Sequence, residues 1–129
     1  MAEVVVVRAT DLDSDTPQTP GLRRMEAISG RMAGSAGIWM GYSILAPGAR
    51  TAVHHHGDSE TALYVLRGTG RWWIGSDRST LREAHPGDFV LVPPNVVHWE
   101  ENASDEEPVE MIVARSTQDA VVVNLGEPS

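Results

Sequence analysis

The chain has neither cysteine nor lysine. Without cysteine it can form no disulfide framework, and it offers no thiolate nucleophile, iron–sulfur cluster or sulfur-ligated zinc. Without lysine, Schiff-base catalysis is excluded, whether aldolase-like or through pyridoxal phosphate. Long apolar runs are also missing: the purely apolar stretches are as short as Val4 to Val7 and Val121 to Val123. Nothing approaches the roughly 20 apolar residues of a membrane helix. The start, Glu3 followed by valines, has no basic segment leading into an apolar one, so a cytoplasmic location is expected. A formal charge of −8, with no basic stripe, argues against nucleic acid and anionic membrane as partners. The acid is concentrated at Glu100-Glu101 and Asp105 to Glu107, clusters that ordinarily lie in solvent.

No helical period lasts three turns and no internal repeat is visible. What the 129 residues do contain is a series of short strand candidates. These are Val4 to Arg8, Ile38 to Leu45, Ala62 to Leu66, Arg71 to Ile74, Leu81 to Ala84, Asp88 to Val92, Val97 to Asn102, Val109 to Arg115 and Ala120 to Leu125. Turn signals separate them at Pro47-Gly48, Gly68, Gly75 to Asp77, Pro86-Gly87 and Asn95, while the acidic, Pro-broken stretch Asp11 to Gly21 reads as a loop. Short strands with this spacing predict one all-β domain, a sandwich or barrel.

The chemistry is carried by histidine. His54-His55-His56 stand at one end of a strand-like segment, and His98 lies 42 residues beyond His56. Residues two apart on a strand share a face about 6.6 Å from each other. His54 and His56 therefore point one way and His55 the other. Two imidazoles on one face, with a third from a neighbouring strand, make a nitrogen donor set for a divalent metal. Counting from His98 by the same alternation puts Glu100 on the metal side and Trp99 away from it. His85, in a turn before Pro86, reads as a surface residue. Trp39, Trp72, Trp73 and Trp99 are expected to serve mainly in packing.

The frame around these histidines has fixed spacing. Gly48 precedes His54 by six positions, His56 follows His54 by two, and Glu60 follows His56 by four. Gly87, Pro93, Asn95, His98 and Asn102 then form a second set. Together they resemble the two motifs of the cupin superfamily, roughly G-x5-H-x-H-x3,4-E-x6-G and G-x5-P-x-G-x2-H-x3-N. Asn95 stands where the family usually has Gly, and it tolerates the same left-handed turn. The resemblance implies a double-stranded β-helix, or jelly-roll barrel, with a core of about residues 37 to 115 inside a single domain of residues 1 to 129. It also implies one divalent transition metal (Fe, Mn, Ni, Cu or Zn) held by His54, His56, His98 and Glu60, with Glu60 as fourth ligand or general base. One departure bears on that last assignment. Counted back from Gly68, the family's glutamate falls on Thr61, whereas counted forward from His56 it is Glu60. A slip of one residue reverses the face a side chain points to. If Thr61 points inward, Leu63 and Val65 line the barrel; if Glu60 does, Ala62, Tyr64 and Leu66 do.

By the same resemblance the expected function is that of a small-molecule enzyme of dioxygenase type. A redox-neutral lyase, decarboxylase or isomerase, or a non-catalytic metal or ligand-binding module, are the alternatives on the same site. The expected partners are a small-molecule substrate and a second copy of the chain, a homodimer formed through the Val4 to Arg8 strand as a free edge.

Overall fold

A computed structural model describes residues 3–118 and 121–129. Among these residues ten strands form two five-stranded sheets. The strands are β1 (Leu22–Ile28), β2 (Trp39–Leu45), β3 (Val53–His55), β4 (Thr61–Arg67), β5 (Gly70–Ile74), β6 (Leu81–Ala84), β7 (Phe89–Val92), β8 (His98–Asn102), β9 (Val109–Arg115) and β10 (Val123–Gly126). One sheet runs β1-β2-β9-β4-β7 and the other β10-β3-β8-β5-β6, with antiparallel pairing throughout. A four-residue helical turn, α1 (Gly30–Ala33), links β1 to β2. This is the expected double-stranded β-helix. Among the described residues no helix is long and apolar enough to cross a membrane.

Alternation decides the interior. On the first sheet Leu63, Val65, Val109, Met111, Val113 and Leu45 turn inward, and Trp72 meets them from the second. Each sheet also seats a tryptophan ring against a glycine on the same strand face. A Cβ at Gly41 would come within 2.7 Å of the Trp39 ring, and one at Gly70 within 2.7 Å of the Trp72 ring. The glycines are what let the large rings lie flat between the sheets.

Two expected strands differ. Val4 to Arg8 is not a strand within the single chain, and Val4, Val5 and Val6 are exposed. The last strand is Val123–Gly126; the Ala120 end of the expected strand lies outside the described residues. Conversely, β1 was not foreseen. Its inward residues are Leu22, Arg24 and Glu26, two of them charged, so the apolar alternation that marks a half-buried strand is absent from it.

The outer face of the first sheet is apolar across four strands. Met40, Ala114, Ala62 and Leu91 form one row in register, and Tyr42, Ile112, Tyr64 and Phe89 the next. Phe89 is 80% exposed and Leu91 60%.

Asn102, at the end of β8, ties the end of β2 to the loop between β8 and β9. Its Nδ2 donates to the carbonyls of Leu45, Ala46 and Glu107, and its Oδ1 accepts from Ser104 N. Asn102→Ala leaves several of these buried carbonyls without donors and should cost roughly 2 kcal/mol or more of stability. Urea denaturation checks this; an unchanged midpoint would show that the asparagine is dispensable.

Candidate metal centre

The first histidine cluster is built by a strand that stops early. His54 pairs with His98 across β3 and β8, and both side chains point between the sheets. β3 ends at His55, and the chain turns through Gly57 with His56 just past the strand end. Asn95, at φ 61°, occupies the left-handed turn position predicted for it. It also locks the two loops together: its backbone N donates to Gly57 O at 2.7 Å and its Nδ2 to Asp58 Oδ1 at 3.1 Å. His56 is thereby held against the loop that delivers His98. The ring centroids stand 4.3 Å (His54–His98), 5.0 Å (His54–His56) and 5.4 Å (His56–His98) apart. One nitrogen from each lies within 4.8 Å of the others, and all three side chains are buried.

The hydrogen bonds fix which nitrogen faces inward. Nδ1 of His54 lies 2.8 Å from Ala52 O, Nδ1 of His56 2.9 Å from Val121 O and Nδ1 of His98 2.9 Å from Val96 O. A carbonyl only accepts, so each Nδ1 is the protonated donor and each Nε2 keeps its lone pair. Backbone anchoring of this kind orients metal-ligating histidines. His54 Nε2 and His98 Nε2 are buried and have no hydrogen-bond partner among the described residues. Burial pulls the His54 imidazole down to about 4, helped by His98. Burial and the Arg115 charge pull His56 to about 2. These two rings are thus neutral at pH 7, the state a metal requires. The residues fit a divalent transition ion.

Glu60 is not among them. It is exposed, with its backbone N donating to Ser116 Oγ, and Thr61 is the residue turned inward, at 2% exposure. The reason is register: Thr61 sits opposite Arg115 on β9 and Val92 on β7, and from it Leu63 and Val65 follow into the core. No bulge restores the glutamate. The structure thus turns the Glu60 side chain, expected as ligand or general base, outward, and the inward position carries the Thr61 hydroxyl, whose Oγ1 is buried without a hydrogen-bond partner among the described residues. His85 is exposed, as expected, and Trp99 packs away from the histidines against Trp73, with Arg78 stacked over it.

Acidic clusters usually lie in solvent, but Glu100 is buried and its neighbour Glu101 is part-buried and paired with Arg71 and Arg78; Glu26 of β1 is also buried and pairs with Arg31. Alternation from His98 had placed Glu100 inward, and there it stands 3% exposed, Oε1 3.6 Å from His98 Nε2 and Oε2 without a partner. Burial would raise its pKa, but His98, His54 and Arg24 outweigh that and hold it at about 2. Two guanidiniums share this interior, Arg24 of β1 and Arg115 of β9, each 2% exposed. Burial draws Arg24 down to about 10; burial and Arg24 draw Arg115 to about 9, while Glu100 opposes both shifts. Both remain cations at neutral pH. Sequence reasoning missed them. Arg115 was findable by continuing Val109, Met111, Val113 two residues further; Arg24 was not, because its strand carried no apolar pattern.

Residues 41–115 match the family model described as "Cupin domain", more than half of the chain. A stretch of 53 residues, 41% of the chain, is 43% identical to "(R)-mandelonitrile lyase" of Granulicella tundricola, and it spans 38% of that protein. Among solved structures, an oxalate oxidase in complex with the substrate analogue glycolate aligns with 88% of the chain (TM-score 0.70, 20% identity), which spans 58% of that protein. Bacillus subtilis oxalate decarboxylase OxdC aligns with 86% (TM-score 0.71, 21% identity), the chain spanning 30% of it. A conserved double-stranded β-helix protein from Klebsiella pneumoniae is similar over 88% of this chain and 87% of its own (TM-score 0.68, 17% identity). At these identities the structural likenesses are likenesses of fold.

Metal content separates the two donor sets that the spacing allowed. Protein loaded with a divalent transition ion should hold near one equivalent, and His54→Ala or His98→Ala should lose it. Glu60→Gln should keep it. Elemental analysis after mild purification decides; loss of metal in Glu60→Gln would return the glutamate to the site.

Proposed function

The chain belongs to the cupin domain family, and from that premise we propose that it is a metal-dependent enzyme acting on a small oxygenated molecule. The observation that carries this is the set of inward Nε2 lone pairs, two of them buried and unpartnered, beside the unpartnered Oε2 of Glu100. Arg24 and Arg115 share this dry interior but donate to neither His54 Nε2 nor His98 Nε2, which leaves these lone pairs for a metal ion. His54, His56 and His98 would hold the ion. When bound, it would supply Lewis-acid polarisation of a substrate oxygen or, if redox-active, access to O₂ chemistry.

The chain's own groups define the rest. Glu100, ionised throughout the physiological range, acts as an acceptor and orients a substrate hydroxyl by taking its hydrogen bond. The Thr61 hydroxyl can donate or accept at the opposite wall. Burial of these residues excludes bulk water and strengthens each contact.

Two chemistries have distinct support. A dioxygenase reading rests on the all-histidine donor set left by the outward turn of Glu60. A redox-neutral lyase reading rests on the 53-residue likeness to a mandelonitrile lyase. Reconstitution with Fe, Mn, Ni, Cu and Zn, followed by oxygen-electrode and cyanohydrin-cleavage assays on a panel of chelating substrates, separates them. Oxygen uptake with only redox-active metals supports the first; turnover with Zn and no oxygen demand supports the second. Binding without turnover under every metal would overturn the enzyme reading in favour of a binding module.

The same reading includes a homodimer, with the apolar rows ending in Phe89 and Leu91 as the contact in place of the Val4 to Arg8 strand. Apolar surface of this continuity commonly marks an interface. Sedimentation velocity should show a dimer at micromolar concentration, converted toward monomer by Phe89→Asp combined with Leu91→Asp. A wild-type monomer would remove the proposal.

A further inference from the structure

We propose that Arg24 and Arg115 form an anion seat beside the histidine cluster, and that the molecule bound there is a small carboxylate. The inference deepens the metal-enzyme reading and rests on it for the position of the rest of the ligand.

Three observations converge on it. First, the guanidiniums are buried but unmet. Arg24 Nε and Arg115 Nε and Nη1 have no hydrogen-bond partner among the described residues. Arg24 has one side-chain partner, Thr19 Oγ1 at 2.8 Å, and Arg115 rests on the Trp39 ring at 5.1 Å. A buried donor without an acceptor is costly, and a charged one more so, so such groups are kept where a ligand completes them. Second, the charge does not balance. Glu26, the other buried carboxylate of this region, is taken by Arg31 and Ser29, which leaves Glu100 opposing two cations that also repel each other. A divalent ion on the histidines would widen the surplus, which a negatively charged ligand removes.

Third, there is an opening at the arginines for a ligand oxygen. Arg24, Arg115, Thr61, His56 and Glu100 surround a gap of about 10 Å³, the room of a single water or one ligand oxygen. A small carboxylate places an oxygen in that gap, among the arginine donors. Charge-assisted hydrogen bonds to guanidinium are the strong kind, and they select the anion over any neutral molecule of the same shape.

Calorimetric titration of the metal-loaded protein with lactate and with its neutral isostere lactamide tests this, with metal content measured on the same samples. Lactate should bind at least about tenfold more tightly than lactamide. Arg115→Met and Arg24→Met should each lose that preference while metal content stays unchanged. Equal binding of acid and amide, or an intact preference in both folded variants, would overturn the seat. Should a variant fail to fold, the acid–amide comparison on the wild-type protein decides alone. Should the protein hold no metal, the metal-enzyme reading fails, and the same titration of the metal-free protein still tests the arginines: a retained preference for lactate supports the seat, and its absence overturns it.

Discussion

Three short hydrogen bonds from histidine Nδ1 to backbone carbonyls set the character of this interior. Each spends the one proton of a neutral imidazole on the main chain, at Ala52, Val121 and Val96, and so turns a lone pair toward the space between the sheets. Two of these bonds are local, from a histidine to the carbonyl two residues earlier, in the segments that lead into β3 and β8. The third crosses 65 residues to Val121, just before β10. The orientation of His56 therefore depends on the chain's last segment, although His56 itself is delivered by the turn at Gly57. Loops and termini that look peripheral in the topology are part of what aims the donors.

The interior is divided along the strands. One end is an apolar core of Leu45, Val65, Trp72, Val109 and Met111. The other holds Arg24, Arg115, Thr61, Glu100 and the histidines, all buried. Ionic groups removed from water cost several kcal/mol each before any compensation, and well-packed apolar residues of similar volume would often be as stable or more so. The apolar end is thus the source of stability, and the polar end is a load that the fold carries. That asymmetry favours a ligand-handling role over a structural one for the arginines and the glutamate.

Much of this was legible from the residue order. Strand alternation found His54, His98 and the inward Glu100, and the turn chemistry of Asn95 agreed with its left-handed conformation. Legibility failed in two physically different ways. At β1 it failed because the inner face is charged: a strand is recognised by apolar residues at every second position, and Arg24 and Glu26 occupy those positions here. At Glu60 it failed because a count along the chain does not fix register. The spacing from His56 and the spacing to Gly68 disagree by one residue, and only pairing with β9 and β7 decides which side chain enters. The exposed valines at the start show the converse error, since β propensity without a partner strand to pair with does not make a strand.

The displacement of Glu60 has a consequence for the charge of the site. A carboxylate at that position would have stood opposite Arg115, because the inward residue of β4 there is the one in register with it. With Thr61 in its place, the guanidinium keeps its unmet donors and Glu100, on the opposite sheet, is left to face both arginines. Exchanging a charged inward residue for a neutral hydroxyl thus shifts the interior from balanced to net positive without altering the fold. The positive surplus is a product of one residue of register, and it is this surplus that gives the cavity its preference for what it holds.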